Sequence, residues 1–228
     1  MRAGKLKHRF LLVLFPVSAA CLAATSLSSK QSGNTTQPSS IDMRRREGLA
    51  AWHKLYSVLT HPRCINCHTA TNYPEQGDDR HRHMFNVVRG DSGTGVPGLS
   101  CATCHQQSNT DATGMPGAAN WRLAPLTLAW QDRNDKILST MALCKMLADK
   151  GKNGGLGADA LLEHHEREPL VRWAFAPGLR SDGTPRSLPP LTHEEFIAAT
   201  RVWTRSGMPC PQNRSAIRGS LRKPPSSE

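Results

Sequence analysis

Apolar residues recur at steps of three and four in several stretches of the chain, which is the pattern of short amphipathic helices. The first helix is predicted over residues 41–60, on the apolar positions Leu49, Trp52, Tyr56 and Leu59. Ser40 or Asp42 can cap its start, and Pro62 ends it. This helix leads directly into the first of two short cysteine motifs.

Three further helices are predicted over residues 134–150, 158–168 and 192–206, with a short turn and helix after Pro169. The last helix begins with a capping box, in which Thr192 and Glu195 each satisfy a backbone amide of the other. No strand pattern of any length is visible in the sequence. We therefore predict a mainly α fold, with long irregular loops between the helices.

The two ends of the chain differ in composition from residues 41–212, which are predicted to form one domain. Residues 1–24 combine a basic start with an apolar stretch, the pattern of a secretory signal peptide. That stretch is shorter than the roughly 20 apolar residues of a membrane-spanning helix. Residues 25–40 are predicted to be a disordered linker, and residues 213–228 a basic disordered tail. These features predict export to the periplasm.

Cys21 lies within the signal region and has two interpretations. A lipoprotein signal normally places Leu three residues before the lipidated cysteine, whereas this chain has Ser18 there. Ordinary cleavage after Ala20 or Ala24 is the first interpretation, and a lipid anchor is the second. Membrane association is therefore predicted only if Cys21 is lipidated.

The formal charge of +11 is concentrated at the ends of the chain. Residues 1–40 carry five basic and no acidic residues, and residues 213–228 carry four basic residues and one acidic one. That leaves a formal charge of +3 for residues 41–212. So small an excess gives no electrostatic reason to predict binding to DNA or RNA.

Two motifs of the form Cys-x-x-Cys-His carry the candidate chemistry of the chain. They are Cys64-Ile65-Asn66-Cys67-His68 and Cys101-Ala102-Thr103-Cys104-His105. This is the attachment motif of c-type haem. Two sulfurs one turn apart can each form a thioether to a vinyl group of the porphyrin, and the adjacent histidine then reaches the iron as an axial ligand. The motifs therefore predict two covalently bound haem c groups, with His68 and His105 as the proximal iron ligands.

Zinc binding and dithiol chemistry are the alternatives for paired cysteines. Zinc ribbons usually separate the two pairs by about 15–20 residues, whereas residues 68–100 lie between them here. A zinc site also gives no reason for a histidine directly after both second cysteines. A thioredoxin-like motif is expected within a βαβ pattern, and none is visible in this sequence.

The function of each haem depends on the sixth iron ligand, since a His or Met there gives an electron carrier and an open position gives a ligand-binding site. His83 and His164 are the predicted distal ligands. His83 precedes an apolar run, where the chain can turn into a haem pocket. His164 and its neighbour His165 lie on a predicted helix, and one of the two can face inwards. Met115, near the second motif, is the alternative thioether ligand.

Two cysteines and two arginines complete the set of candidate residues. Cys144 and Cys210 remain once the motifs and the signal region are set aside. In an oxidising compartment they are predicted to form a disulfide, with two buried free thiols as the alternative. Arg89 and Arg122 are candidates for contacts with the haem propionates, and exposed arginines are the alternative.

The residues around the motifs add a pattern of their own, in His61–His68, Asn86–Gly90, Gly98–His105, Met115–Gly117, Trp121, Leu123–Pro125, Cys144, Leu170–Val171, Trp173, Pro177–Gly178 and Cys210–Pro211. This pattern resembles small exported dihaem proteins, a family often labelled isoquinoline 1-oxidoreductase subunits. The resemblance covers about residues 41–212. It implies a c-type electron-transfer partner of a periplasmic molybdenum hydroxylase, whose hydroxylating site lies on other chains.

The predicted function is that of a periplasmic dihaem c-type cytochrome with an irregular, loop-rich multihaem fold. It would relay electrons from a dehydrogenase donor to a respiratory-chain acceptor, as an electron-transfer protein or subunit rather than as a catalyst on its own. The alternative is a dihaem peroxidase-like or thiol-oxidising enzyme with one open haem iron. A redox or gas sensor is a third hypothesis, although the sequence has no visible output segment.

Overall fold

The computed structural model describes residues 39–212. The predicted signal peptide, residues 25–38 of the predicted linker and the predicted tail lie outside the described residues. The described part combines helices, very short strands and long irregular loops. Its helical packing agrees with the predicted mainly α character.

The α-helices of the described residues are α1 (Ser40–Leu59), α2 (Pro62–Ile65), α3 (Thr140–Ala148), α4 (Ala158–Arg167), α5 (Pro169–Ala174) and α6 (His193–Arg205). Short 3₁₀ helices span Met84–Asn86, Cys101–Thr103 and Leu126–Leu128. The strands are β1 (Glu75–Gln76), β2 (His81–Arg82), β3 (Gly95–Val96), β4 (Leu99–Ser100), β5 (Ser108–Thr110) and β6 (Met115–Ala118). Consecutive strands pair as three antiparallel two-stranded ribbons. The expectation of a chain without strands is corrected here. Strands of two to four residues are too short to display the alternation of apolar and polar positions that predicts a strand.

Helices α1 and α2, which lead into the first motif, both begin at capping residues. The Ser39 hydroxyl accepts a hydrogen bond from the Asp42 amide at 3.2 Å, so the cap lies one residue before the predicted Ser40. Nδ1 of His61 accepts from the Arg63 amide at 3.2 Å. Pro62 follows as the first residue of α2. The backbone amide at this position has no partner within a helix, so the missing N–H of proline costs no hydrogen bond. The short helix α2 therefore starts in a defined place and carries the first cysteine of the motif.

Helix α3 is shorter than the predicted helix over residues 134–150. The Asp132 carboxylate accepts hydrogen bonds from the amides of Asn134 and Lys136, at 2.8 and 3.1 Å, and this holds the preceding residues in a turn. Ser139 then caps the helix by accepting from the Ala142 amide at 3.2 Å. Local side-chain bonds therefore delay the helix beyond the point where its apolar periodicity begins.

The core lies between α1, α3, α4 and α6. Trp52 of α1 and Trp203 of α6 are fully buried, with ring centroids 5.0 Å apart. Each indole N–H has a partner, since Trp52 donates to the Thr140 hydroxyl at 2.8 Å and Trp203 donates to the Pro209 carbonyl at 3.1 Å. A Cβ at Gly48 would overlap the ring of Pro209, so a glycine is needed where α1 meets the chain that follows α6.

A disulfide joins Cys144 of α3 to Cys210 beyond α6, with Cα atoms 5.6 Å apart. The predicted pairing is therefore confirmed. The capping box at Thr192 and Glu195 is confirmed as well, because each side chain bonds the backbone amide of the other. None of the helices within residues 39–212 is both long and apolar enough to cross a bilayer.

Candidate functional site

The two Cys-x-x-Cys-His motifs adopt the same backbone turn. In each, the amides of the second cysteine and of the histidine donate to the carbonyl of the first cysteine. The distances are 3.2 and 3.3 Å to the carbonyl of Cys64, and 3.2 and 2.9 Å to that of Cys101. A helical turn of this kind brings residues three and four apart to one side of the backbone. Each motif can therefore present both sulfurs and the imidazole to one bound group.

The ring of His68 is held by two contacts from the same loop. Its Nδ1 donates to the Leu128 carbonyl at 2.8 Å, and its face lies on the indole of Trp130, with centroids 3.5 Å apart and planes 11° from parallel. Burial lowers the pKa of His68 to about 4, which keeps the ring neutral at physiological pH. A neutral imidazole with its proton on Nδ1 has a lone pair on Nε2, the atom that binds metals in this arrangement.

The ring of His105 repeats this arrangement in the second motif. Its Nδ1 donates to the Pro116 carbonyl at 2.8 Å, and its face lies on the indole of Trp121, with centroids 4.3 Å apart and planes 6° from parallel. Burial lowers the pKa of His105 below its ordinary value. Nε2 of both motif histidines has no hydrogen-bond partner within residues 39–212. Two motifs in different backbone surroundings therefore orient their histidines in the same way.

A cavity of about 300 Å³ lies beside the first motif. Cys64, Cys67 and His68 are part of its wall. Much of the remaining wall is apolar and includes Leu128, Trp130, Leu161, Val171, Phe175 and Phe196. Ligand pockets in proteins range from about 300 to 1,000 Å³. An apolar cavity with two thiols and an imidazole in its wall suits a large apolar ligand that carries a metal.

Two buried polar atoms of residues that line this cavity lack partners within the described part of the chain. They are Nε of Arg63 and Nε1 of Trp130. An unpaired buried donor costs about 1–3 kcal/mol, so a ligand with acceptor oxygens would stabilise both. Arg122 lines the same cavity, where it pairs with Glu168 at 3.2 Å. The carboxylates of a haem are acceptors of this kind, and the residues present therefore fit that group.

His164 and His165 both line the cavity that contains His68. His165 is 5 % exposed, its Nδ1 bonds the Thr200 hydroxyl at 2.9 Å, and its ring packs on Phe196 at 4.6 Å. Burial lowers the pKa of His165 to about 3. The imidazole of His164 has no hydrogen-bond partner in the described residues, and burial lowers its pKa as well. The predicted ligand His164 thus faces the same cavity as His68, and His165 remains the neighbouring alternative.

His83 lies beside the histidine of the second motif, 22 positions away in sequence. The ring centroids of His83 and His105 are 6.0 Å apart. Two imidazoles on opposite sides of one metal ion, at about 2 Å per bond, have centroids roughly 6 Å apart. Nδ1 of His83 donates to the Met84 carbonyl at 2.7 Å, so its Nε2 carries the lone pair. The predicted pair His83 and His105 therefore has the spacing of a two-histidine site, and that role stays a prediction.

The apolar residues that follow His83 face in different directions, since Met84 and Phe85 are turned outwards and Val87 is buried. Met84 and Phe85 are 57 % and 76 % exposed, and Phe85 has a φ of +61°, in the left-handed region that side chains rarely adopt. The place of this run in a haem pocket therefore stays a prediction. Its apolar surface lies open next to His83, where a further group could cover it.

Arg89 has a structural role within the described residues, and its predicted contact with a propionate stays a prediction. Its guanidinium is buried and donates to the carbonyls of Thr69, Thr71 and Ala124. These bonds order the irregular chain after the first motif. Met115, the alternative ligand, lies in β6 directly before Pro116, whose carbonyl binds His105.

The two motifs lie side by side. Burial and, to a lesser extent, the nearby Cys101 thiol raise the pKa of the Cys67 thiol to about 11. The carbonyl of Cys67 accepts a hydrogen bond from Ala124 at 3.1 Å. No group of three or more His, Cys, Asp or Glu side chains in residues 39–212 is arranged to hold a metal ion. The four motif cysteines are therefore not gathered around one ion, whereas a structural zinc site requires four converging ligands.

Sequence reasoning missed the two tryptophans that stack on the motif histidines. Trp130 is 62 positions after His68, and Trp121 is 16 after His105, so no local spacing connects them. The sequence does contain one signal for them, which is that both tryptophans lie in irregular chain and belong to the apolar face of no predicted helix. A buried tryptophan in such a stretch needs a specific partner.

Comparison of the chain with protein-family models, with curated proteins and with solved structures found no match. What the site does is therefore inferred from its residues and their geometry.

Proposed function

We propose that this protein is a c-type cytochrome with two haem c groups that transfers single electrons. Cys64 and Cys67 would bind one haem through thioethers, and Cys101 and Cys104 the other. His68 and His105 would be the proximal iron ligands.

The observation that carries the proposal is the repeated environment of the two motif histidines. Each donates Nδ1–H to a backbone carbonyl at 2.8 Å and lies flat on a tryptophan. The carbonyl sets the tautomer, and the indole sets the plane of the ring. Each Nε2 therefore keeps its lone pair in a fixed direction before any metal binds, which lowers the reorganisation that binding requires.

The second imidazole near each motif favours an electron carrier over a ligand-binding haem. His83 lies 6.0 Å from His105, and His164 lines the cavity of His68. An iron with two histidine ligands has no open coordination position, so peroxide or another small ligand would have to displace a ligand first. A bound haem supplies a one-electron iron couple, and the chain supplies the tether, the axial ligands and the apolar surroundings.

The partners and the compartment are part of the same proposal. The amino-terminal pattern and the disulfide both suit an oxidising compartment outside the cytoplasm. The sequence resemblance implies a periplasmic dehydrogenase, such as a molybdenum hydroxylase, as the electron donor. A component of the respiratory chain would accept the electrons.

The direct test is to produce the full chain in a host with working haem-ligation machinery and to measure its intact mass and its spectrum. We expect the mass of the processed polypeptide plus two haems, and a ferric spectrum of two low-spin irons. The double variants C64A/C67A and C101A/C104A should each lose one haem. The matched control C144A/C210A also removes two cysteines, but it should keep both haems.

Two results would contradict the proposal in different ways. A purified protein with the mass of the polypeptide alone, or with zinc in place of iron, would exclude haem attachment. A protein with two haems, one of them high-spin and able to bind cyanide directly, would favour the enzymatic alternative with one open iron.

A further inference from the structure

Trp121 has contacts with both candidate haem sites. One face of its indole lies on the ring of His105, with centroids 4.3 Å apart. The same side chain is part of the wall of the cavity that contains His68, and it meets Trp173 edge to face at 4.8 Å in that wall. Trp130 differs from it, since Trp130 stacks on His68 and lines the same cavity but has no aromatic contact with His105.

The residues after Trp121 are bonded to the surroundings of both motifs. The amide of Leu123 donates to the Gly93 carbonyl at 2.8 Å, and Gly93 lies in the chain that leads into the second motif. The amide of Ala124 donates to the carbonyl of Cys67, in the first motif, at 3.1 Å. Residues 121–125 all line the cavity. This segment therefore holds the indole of Trp121 in a defined place between the two sites.

We propose that Trp121 is a positioning residue shared by the two haem sites, which orients His105 by stacking and at the same time closes the cavity beside His68. The inference rests on the proposed function. It adds that this one side chain influences the reduction potentials of both haems, which neither motif reveals in the sequence.

The physical consequence concerns water and charge. Removing the indole would open the cavity wall and free the ring of His105 to move, so water would reach both sites. A ferric haem carries one more positive charge than a ferrous haem, and water stabilises the more highly charged state. Both reduction potentials are therefore expected to fall when Trp121 is shortened, because burial is one of the properties that set haem potentials.

The test is a redox titration of the two-haem protein, followed by its visible spectrum, for Trp121→Leu and for the matched variant Trp130→Leu. Intact mass is measured first, so that every titrated sample is known to carry two haems. We expect Trp130→Leu to lower one midpoint potential and thereby to identify the haem of His68. Trp121→Leu is expected to lower both midpoint potentials.

Two outcomes would overturn the inference while leaving the proposed function intact. If Trp121→Leu lowers only the potential that Trp130→Leu leaves unchanged, Trp121 serves His105 alone. If it lowers only the potential that Trp130→Leu also lowers, it serves the cavity alone. Trp121→Phe keeps an aromatic face and gives smaller shifts of both potentials on the same reasoning, so it decides between these outcomes if the leucine variant does not retain its haems. Wild-type protein without haem would instead contradict the proposed function.

Discussion

The imidazoles of His83 and His105 meet edge to face, with their planes at 73° and their centroids 6.0 Å apart. His83 comes from the irregular chain between the motifs, and His105 closes the second motif. Each donates Nδ1–H to a backbone carbonyl, of Met84 and Pro116 respectively. With Nδ1 used in this way, Nε2 is the atom that a neutral ring of either residue offers to a metal ion.

His83→Ala is expected to leave one iron without its distal ligand. One of the two low-spin ferric signals should become high-spin in the electron paramagnetic resonance spectrum, because a five-coordinate haem iron has a weaker ligand field. His83→Met should stay low-spin and raise the potential of that haem, because a Met ligand raises the potential relative to His.

His81→Ala is the matched control for His83, two positions away in the same loop. His81 is exposed and bonds the Asp79 carboxylate at 2.7 Å. Its replacement should leave both low-spin signals unchanged. If His83→Ala also leaves both signals unchanged, His83 is not an iron ligand, and Met115 becomes the residue to replace.

His164→Ala is expected to remove the distal ligand in the cavity of His68, whereas His165→Ala is not. His164 faces the cavity with no hydrogen-bond partner in the described residues, while His165 is held by Thr200 and Phe196 in the wall. The low-spin signal assigned to the haem of His68 should be lost in His164→Ala only. The reverse result would assign the ligand to His165.

Loss of the disulfide is expected to lower stability without loss of haem. The bond between Cys144 and Cys210 closes a loop across 66 positions, for which the chain-entropy account gives about 4 kcal/mol. C144A/C210A should therefore unfold at lower denaturant concentration, with both haem groups still attached. An unchanged unfolding midpoint would contradict this prediction.

Arg63→Gln is expected to lower the potential of the haem in the cavity. Arg63 is 7 % exposed and lines the cavity with its Nε unpaired, while its other end pairs with Asp78. Loss of one positive charge near a haem favours the ferric state by on the order of 1 kcal/mol, or about 40 mV. A redox titration measures this shift.

Arg180→Gln is the control for Arg63, because Arg180 pairs with the same carboxylate at 2.6 Å but does not line the cavity. It should shift the potential much less. Equal shifts in both variants would place the effect in the loop that contains Asp78 rather than in a contact between Arg63 and the bound group.

Several features of the fold could be predicted because their signals lie within a few residues of one another. The capping box of Thr192 and Glu195 starts α6, and the periodic apolar face of α1 ends before Pro62. The pairing of Cys144 with Cys210 followed from counting the cysteines that no motif uses. In these cases, local hydrogen bonds and the elimination of cysteines with other roles are sufficient to predict the structure.

Other features depended on residues far apart in sequence. The short ribbons carry no periodicity, and Arg89 binds three carbonyls from two segments that only the folded chain brings together. The start of α3 depended on the side chain of Asp132, which competes for the amides that a longer helix would need.

The candidate site also has a part that the sequence specifies locally and a part that depends on distant residues. The five-residue motifs specify the sulfurs and the proximal imidazoles, because a single turn of backbone is enough to place them. The directions in which those imidazoles point depend on Trp130, Trp121 and two distant carbonyls. Stacking and hydrogen bonding act over a few ångströms, so partners from irregular loops become known only when the whole chain is packed.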